Sequence, residues 1–392
     1  MLTQQTQPEQ RATANVTRST LNASLHLLRC ALWQEKPDKS LFSLDTDWQG
    51  ILLWARCHTV QALVAQQMKR VADALGCEAE MKMCTREMFA VTQRNRHVNQ
   101  TVATLVQTLR RGGFSAVLLK GQGVARYYLE PLLRVSGDID LYLGPEHADD
   151  AVACLSEHLG IAAHPGRNDR KHVNMTFGDV EIEVHRKATE AQVMARAQQI
   201  QEWTMRQLHT DTRRADIGGT VIAVPSALFD VLFVFQHLYQ HLLGEGVGLR
   251  HVCDWLRCLY VNRDAIDHDE LQRLLTQFGM LHAWQLFGLM AVRHLGMPRD
   301  AMPLYRERYS RRADRLMRLL MAGSNFGKVQ QQYDREHRPR RPWVAKLYSK
   351  CRYVKAHWPL VMLFPRQAVP LMAERVKKNI WSPLSGLPEG RE

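Results

Sequence analysis

The chain has 392 residues, 45% hydrophobic and 23% charged, which excludes a disordered or low-complexity protein and leaves room for one large core or two to three modest domains. Its formal net charge of +13 points to anionic partners: nucleotides, nucleic acid or acidic lipid headgroups. The first twenty residues are polar, no uncharged apolar run reaches the roughly 18 residues that span a bilayer, and the eight cysteines form no CxxC pair, so a cytoplasmic protein with free, largely buried thiols is expected.

In chain order, residues 16 to about 95 place apolar residues at three- and four-residue spacing and predict helices. A further helix, VNQTVATLVQTLRR, stops at Gly112-Gly113. FSAVLLK (114–120) then reads as a buried strand, GQGVARYYL as a glycine turn entering a helix, and GDIDLYL (137–143) as a second strand. GPEHADDAVACLSEHLG has Pro145 near the first turn, acids early and Gly160 at the end, the pattern of a capped helix. HVNMTF and VEIEVHR flank Gly178-Asp179 and predict a β-hairpin. Helices return from Pro225. The expected layout is α+β: an N-terminal helical region (1–95), a core with a mixed sheet (96–215) and a C-terminal helical region with a basic tail (216–392).

Asp138 and Asp140 raise the functional question, because they interrupt an apolar strand. Residues two apart on a strand share a face, so both carboxylates project together while Ile139 and Leu141 face the other way. The strand EIEVHR repeats the arrangement with Glu181, Glu183 and His185. Carboxylates gathered on one face repel unless a cation sits among them, and a hard divalent ion with oxygen ligands meets that need. A solvated edge-strand face is the alternative for the DxD pattern taken by itself.

The stretch LLKGQGVARYY, followed by Arg134 and GDIDLYL and then by Glu183-Val184-His185, resembles the nucleotidyltransferases of the DNA polymerase β superfamily. It is most similar to the bacterial family of uncharacterised nucleotidyltransferases, over about 100–200 and less specifically into both helical flanks. Two departures from the wider superfamily stand out. Gly121 is followed by Gln122 rather than glycine or serine, with fifteen residues between Gln122 and Asp138, and the third acid is Glu183 rather than aspartate.

The resemblance implies a polymerase β-like core and transfer of a nucleoside monophosphate from a nucleoside triphosphate (NTP) to an acceptor hydroxyl, with pyrophosphate released. Asp138, Asp140 and Glu183 would be the catalytic, metal-holding residues for two Mg²⁺ ions, with Mn²⁺ an alternative. Lys120, Gly121, Gly123 and Arg134 would bind nucleotide: the glycines by admitting backbone N–H groups to phosphate at a helix start, the cations by direct contact. Snorkelling at a strand end is the other reading of Lys120, and pairing with one of the site carboxylates that of Arg134. ATP is the favoured NTP, although nothing in the motifs reads a base. The competing function is a non-catalytic nucleotide-binding or scaffold protein of a bacterial surface-glycoconjugate or stress system.

Three features stand outside this scheme. His237 and His241 share a helix face, without the glutamate of an HExxH zinc site, and read as polar positions facing a cleft or another domain. Arg250 and Asp254 read most simply as a helix-surface ion pair, with lining of the nucleotide cleft the alternative should their helix pack on the α/β core. Residues 335–355 carry eight Lys/Arg against one Glu, with Trp343, Leu347, Cys351, Val354, Trp358 and Val361 in an apolar stripe. A packed terminal helix with a solvated basic face is the preferred reading, peripheral contact with an anionic membrane the alternative; no motif for sequence-specific nucleic-acid binding is present.

Overall fold

The structure, a computed structural model, describes residues 17–164, 170–190, 194, 196–244, 246–322 and 341–381; between 342 and 381 it describes the backbone throughout and the side chains of 344, 348, 351, 354, 355 and 357–373. The chain opens with α1 (Arg18–Trp33), α2 (Trp48–Cys57), α3 (Gln61–Ala74) and α4 (Glu78–Arg111). Thr17 and Asp47 start α1 and α2 with side-chain oxygens that accept from backbone N–H groups of the first turn, which have no partner inside the helix. The expected helix after Val98 is the second half of α4. That helix has 34 residues, runs through position 95 without a break, and ends at Gly112.

Seven strands follow: β1 (Val117–Leu119), β2 (Ile139–Tyr142), β3 (Ala163–His164), β4 (His172–Phe177), β5 (Val180–His185), β6 (Thr212–Ile217) and β7 (Thr220–Pro225). They form one sheet in the order β3-β4-β5-β2-β1-β7-β6, with β2–β5 and β1–β7 parallel and the other pairs antiparallel. The fold is therefore α+β with a mixed sheet. The β6–β7 hairpin, turned by Gly218-Gly219 with both φ angles positive, spans position 215, so the sheet extends to Pro225. Within the sheet region lie α5 (Lys120–Ala125), α6 (Ala148–Leu159) and α7 (Ala197–Thr210). The remaining helices are α8 (Ala227–Gly244), α9 (Leu249–Asn262), α10 (His268–Gln277), α11 (Leu281–Leu295), α12 (Ser310–Ala322), α13 (Pro342–Leu363) and α14 (Pro365–Trp381). Among the described residues no helix is long and apolar enough to cross a membrane.

Strand alternation divides the interior in two. Ile139, Leu141, Ile182 and Val184 face Val98, Val102 and Leu105 of α4 and Leu155 of α6 in one core. Val117, Leu119 and Tyr142, on the other face, join the larger core shared by α1–α3 and the C-terminal helices. The polar groups of β2 and β5 thus look towards the seam between the sheet and the helical mass.

His58 ties that seam together. Its backbone oxygen accepts from Arg250 N (3.2 Å) and its Nδ1 accepts from Leu249 N (3.4 Å), so it fixes the start of α9 against the end of α2. The residue is buried, and burial pushes its pKa down to about 4; burial likewise lowers His237, His241 and His251. The unfolded chain protonates such rings near their ordinary 6.5, while the folded protein leaves His58 neutral until about 4. Its contribution is present above pH 6.5 and is lost as pH falls towards 4. Urea-unfolding free energies should therefore drop between pH 7 and 5, and His58→Gln should remove up to about 2 kcal/mol of that drop. A stability that stays flat over this interval would contradict the assignment.

Candidate active site

The site grows out of three neighbouring strands. Register pairs Leu119 of β1 with Asp140 of β2, and Asp140 with Glu183 of β5, while Tyr142 pairs with His185. With alternation this sets Asp138, Asp140, Glu183 and His185 on one face. One carboxylate oxygen each from Asp138, Asp140 and Glu183 lies within 4.8 Å of the others. The next strand is fixed by the Gly178-Asp179 turn, which sets His172 opposite His185 and Asn174 opposite Glu183. Glu181, the other acid of β5, is exposed.

Two cations are built into the cluster. At the end of β1 the backbone of Lys120 is left-handed (φ 37), a sparsely populated conformation for a residue with a Cβ, and Gly121 continues with φ 44. The turn brings Lys120 Nζ to 2.8 Å from Asp140 Oδ1. His185, fully buried, donates through Nε2 to the same oxygen at 2.9 Å and lies 3.1 Å from Glu183 Oε2, while its Nδ1 faces the Lys187 carbonyl at 3.2 Å. Both ring nitrogens meet acceptor oxygens, and a neutral imidazole could donate to only one. This setting favours the protonated ring. Burial opposes that charge, but the hydrogen bonds to Asp140 and Glu183 outweigh it and raise the His185 pKa.

The three carboxylates respond differently. Burial disfavours charge on Asp140, yet Lys120 and His185 overcome it and hold the group below the usual carboxylate range. Glu183 is lowered as well, the His185 hydrogen bond overcoming burial. Asp138 goes the other way: the charge of Asp140, followed by burial, pushes it up to about 6. The donor set, three oxygens' worth of hard ligand with one carboxylate left short of positive charge, suits a divalent cation. A second group, His172, Glu183 and His185, also has ligand atoms within 4.8 Å, but His185 Nε2 is already engaged with Asp140.

Gly121 and Gly123 are held tightly by the protein itself. A Cβ on Gly121 would meet the Asp138 carbonyl oxygen at 3.1 Å, and one on Gly123 the Leu118 carbonyl oxygen at 3.1 Å. The bare Cα of Gly121 lets the turn lie directly beside the aspartate-bearing segment, and that of Gly123 lets it fold back on the end of β1. The helix they open, α5, has only six residues. Arg134 is buried and gives Nε and Nη2 to Asp254, both at 2.8 Å, while Tyr128 Oη donates to Asp254 Oδ1 at 2.7 Å. Asn95 Nδ2 donates to the carbonyls of Leu132 and Arg134, and Arg250 Nη1 to that of Val135. Together these bonds pin the loop that delivers Asp138. The expected surface pair of Arg250 with Asp254 is replaced by this buried arrangement, because Asp254 faces inward and takes the arginine of the loop.

Further residues were not singled out by the sequence. Lys171, at the start of β4, has its pKa lowered by burial and then by Lys120. His251 of α9 joins His237 and His241 of α8, with ring centroids 4.3, 5.7 and 5.9 Å apart. The electrostatic influence of Lys120 and Lys171 reaches His237 and His241, so this trio borders the same site. The hairpin register would have exposed His172: the Gly178-Asp179 turn sets it opposite His185. Nothing local in the sequence could bring His251 to the pair.

Residues 45–296 match a protein family described as uncharacterised nucleotidyltransferase. No curated protein matches the chain. Among solved structures, an antigenic nucleotidyltransferase-like protein from Paracoccidioides brasiliensis aligns with 15% identity and a TM-score of 0.33, covering 51% of this chain and 92% of that one.

Two substitutions test the charge layout. Asp138→Asn removes the carboxylate that its neighbour destabilises, so in metal-free buffer at pH 7–8 the melting temperature should rise by a few degrees; a fall would mean that Asp138 is already compensated. Arg134→Gln strands Asp254 in the interior and should cost about 3–5 kcal/mol in urea unfolding. A loss under 1 kcal/mol would show that the loop is pinned by other bonds.

Proposed function

The chain belongs to the uncharacterised nucleotidyltransferase family, and on that premise we propose that it transfers a nucleoside monophosphate from an NTP to an acceptor hydroxyl, releasing pyrophosphate with a divalent metal as cofactor. The observation that carries this reading is the meeting of Asp138, Asp140 and Glu183 beside Lys120. The motif order argues for the polymerase β-like superfamily and a bacterial source, with ATP as the first NTP to try. The three carboxylates would hold Mg²⁺, two ions in this reading, or Mn²⁺. The metal, when bound, offsets triphosphate charge and makes the acceptor oxygen a better nucleophile.

The chain's own groups do the rest. Lys120 keeps its charge despite burial, because Asp140, Asp138 and Glu183 together raise its pKa, so it is a permanent cation facing the triphosphate. Lys171, directly before β4, is a second lysine at the site, its pKa lowered by burial and by Lys120. His185 orients Asp140 and Glu183 together from behind. Arg134 acts through the loop, by fixing where Asp138 enters. The acceptor oxygen bonds to the α-phosphorus and gives its proton to solvent as the bond to the bridging oxygen breaks, and the pyrophosphate leaves with that electron pair.

One observation favours the second reading, a non-catalytic nucleotide binder: the Lys120 ammonium already neutralises Asp140 without any metal. The two readings separate in assay. With Mg²⁺ and a panel of NTPs, supplemented with cell extract as acceptor source, the wild-type protein should release pyrophosphate. Asp138→Asn and Glu183→Gln should fall to background while folding normally. Thermal stabilisation by NTP with no pyrophosphate from any NTP would instead establish the binder, and full activity in either variant would exclude the carboxylates as metal ligands.

A further inference from the structure

Helix α13 has apolar residues on two opposite faces. Towards the protein, Leu360 and Leu363 are buried, and Phe364 directly after them sets its ring 5.1 Å from Tyr239 and 6.3 Å from Phe287. This face completes the core, as an amphipathic helix requires. On the other side Val354, Trp358 and Met362, spaced four apart, are 38%, 56% and 45% exposed, and Val369 of α14 adds a residue that is 49% exposed. Packing against the protein accounts for the first stripe and leaves the second in water, where a contiguous apolar patch marks a contact surface.

The charge around that second stripe identifies what it fits. Between 342 and 381 the sequence carries eight Lys/Arg (Lys346, Lys350, Arg352, Lys355, Arg366, Arg375, Lys377, Lys378) and one acid, Glu374. Lys355 and Arg366, whose side chains are described, are exposed. A second copy of the chain would suit the apolar stripe but would bring two faces of the same strong positive charge together. A nucleic acid would suit the charge but offers no place for a row of Val, Trp and Met. A bilayer with anionic headgroups supplies both, an acyl boundary for the stripe and phosphates for its flanks. Tryptophan is also the side chain best matched to the headgroup level, with an apolar ring and an N–H that stays hydrated. The side chains of Trp343 and Leu347, which continue the stripe in sequence, lie outside those described.

We propose that α13 and α14 form a membrane-surface module that docks on anionic lipid through Val354, Trp358 and Met362, with the basic charge that these two helices carry in sequence. The helices lie on the bilayer, since neither can span it. This goes beyond the transferase reading and is independent of it, because none of these residues belongs to the carboxylate site. It restricts catalysis, if present, to acceptors within reach of that surface.

The test is sedimentation of the full-length protein with vesicles of phosphatidylcholine, with or without a quarter phosphatidylglycerol. Wild-type protein should bind the anionic vesicles only. Binding should weaken at least tenfold as salt rises from about 0.01 M to about 1 M, shortening the Debye length from about 30 Å to about 3 Å. The double variant Trp358→Ser, Met362→Ser alters exposed side chains only; with unchanged circular dichroism and melting temperature, it should lose at least tenfold in lipid affinity. No binding to anionic vesicles at low salt overturns the proposal, as does equal binding by the variant or by neutral vesicles. A concentration-dependent dimer in light scattering that the double variant abolishes would assign the stripe to a second copy instead, and RNA binding that the variant retains would assign the charge to nucleic acid; either outcome replaces the membrane.

Discussion

The arrangement around the sheet follows from one constraint: three carboxylates share a low-dielectric face, and their mutual repulsion has to be met by positive charge. At a few ångströms, two like charges repel by about 4 kcal/mol at an effective dielectric constant near 20. The fold meets most of this with two cations of its own. Lys120 and His185 both bond to Asp140, and His185 also faces Glu183. Asp138 has neither, and it is the group whose proton affinity rises, to about 6. Two aspartates two residues apart on one strand are thus driven in opposite directions by their neighbours. Paired with Lys120 and His185, Asp140 is anchored as an anion; Asp138 is the carboxylate with charge still to be offset, and so the one with most to gain from a ligand.

The rest of the molecule serves the placement of these groups. The left-handed backbone at Lys120 and Gly121 turns the lysine back over the sheet, and the bare Cα of Gly121 lets the turn touch the segment carrying Asp138. That segment is in turn fixed from the helical side, by Arg134 on Asp254 and by Asn95 and Arg250 on its carbonyls. Asp254 and Arg250 sit on α9, whose first residues bond to His58. A buried ion pair is a weak source of net stability but an exacting positional device, because either partner left alone is strongly penalised. The helical flanks and the sheet consequently behave as one body around the carboxylates.

What the sequence made legible was local. The i, i+2 spacing of Asp138 and Asp140, the glycine turn and the Gly178-Asp179 hairpin are short-range patterns, and they were sufficient to anticipate the shared face. The role of Arg134 was not legible, since its partner lies 120 residues further along the chain. Its position shortly before the DxD motif invites a phosphate-binding reading, whereas its guanidinium is spent on Asp254. The same holds for His251, which completes a cluster with His237 and His241 only after α9 packs on α8. Against burial, the raised pKa of His185 comes first from Asp140, which strand pairing brings to the ring from 45 residues away, a tertiary detail with no counterpart in local spacing. The expected breaks at 95 and 215 followed changes in composition, but α4 and the β6–β7 hairpin run through both.

The net charge shows the difference between a total and its distribution. A charge of +13 suggests a basic site for a triphosphate, yet the site itself has more carboxylates than lysines. Arg126, Arg134, Arg250 and Arg257 are consumed by internal carboxylates and carbonyls. Seven of the thirteen net charges lie between 342 and 381, on the two helices with the exposed apolar stripe. Screening confines the influence of that block to roughly a Debye length, about 8 Å at physiological salt. The excess therefore acts on whatever touches α13 and α14, and the reaction at the carboxylates depends instead on the few cations set among them by the turn at Lys120 and the register of β5.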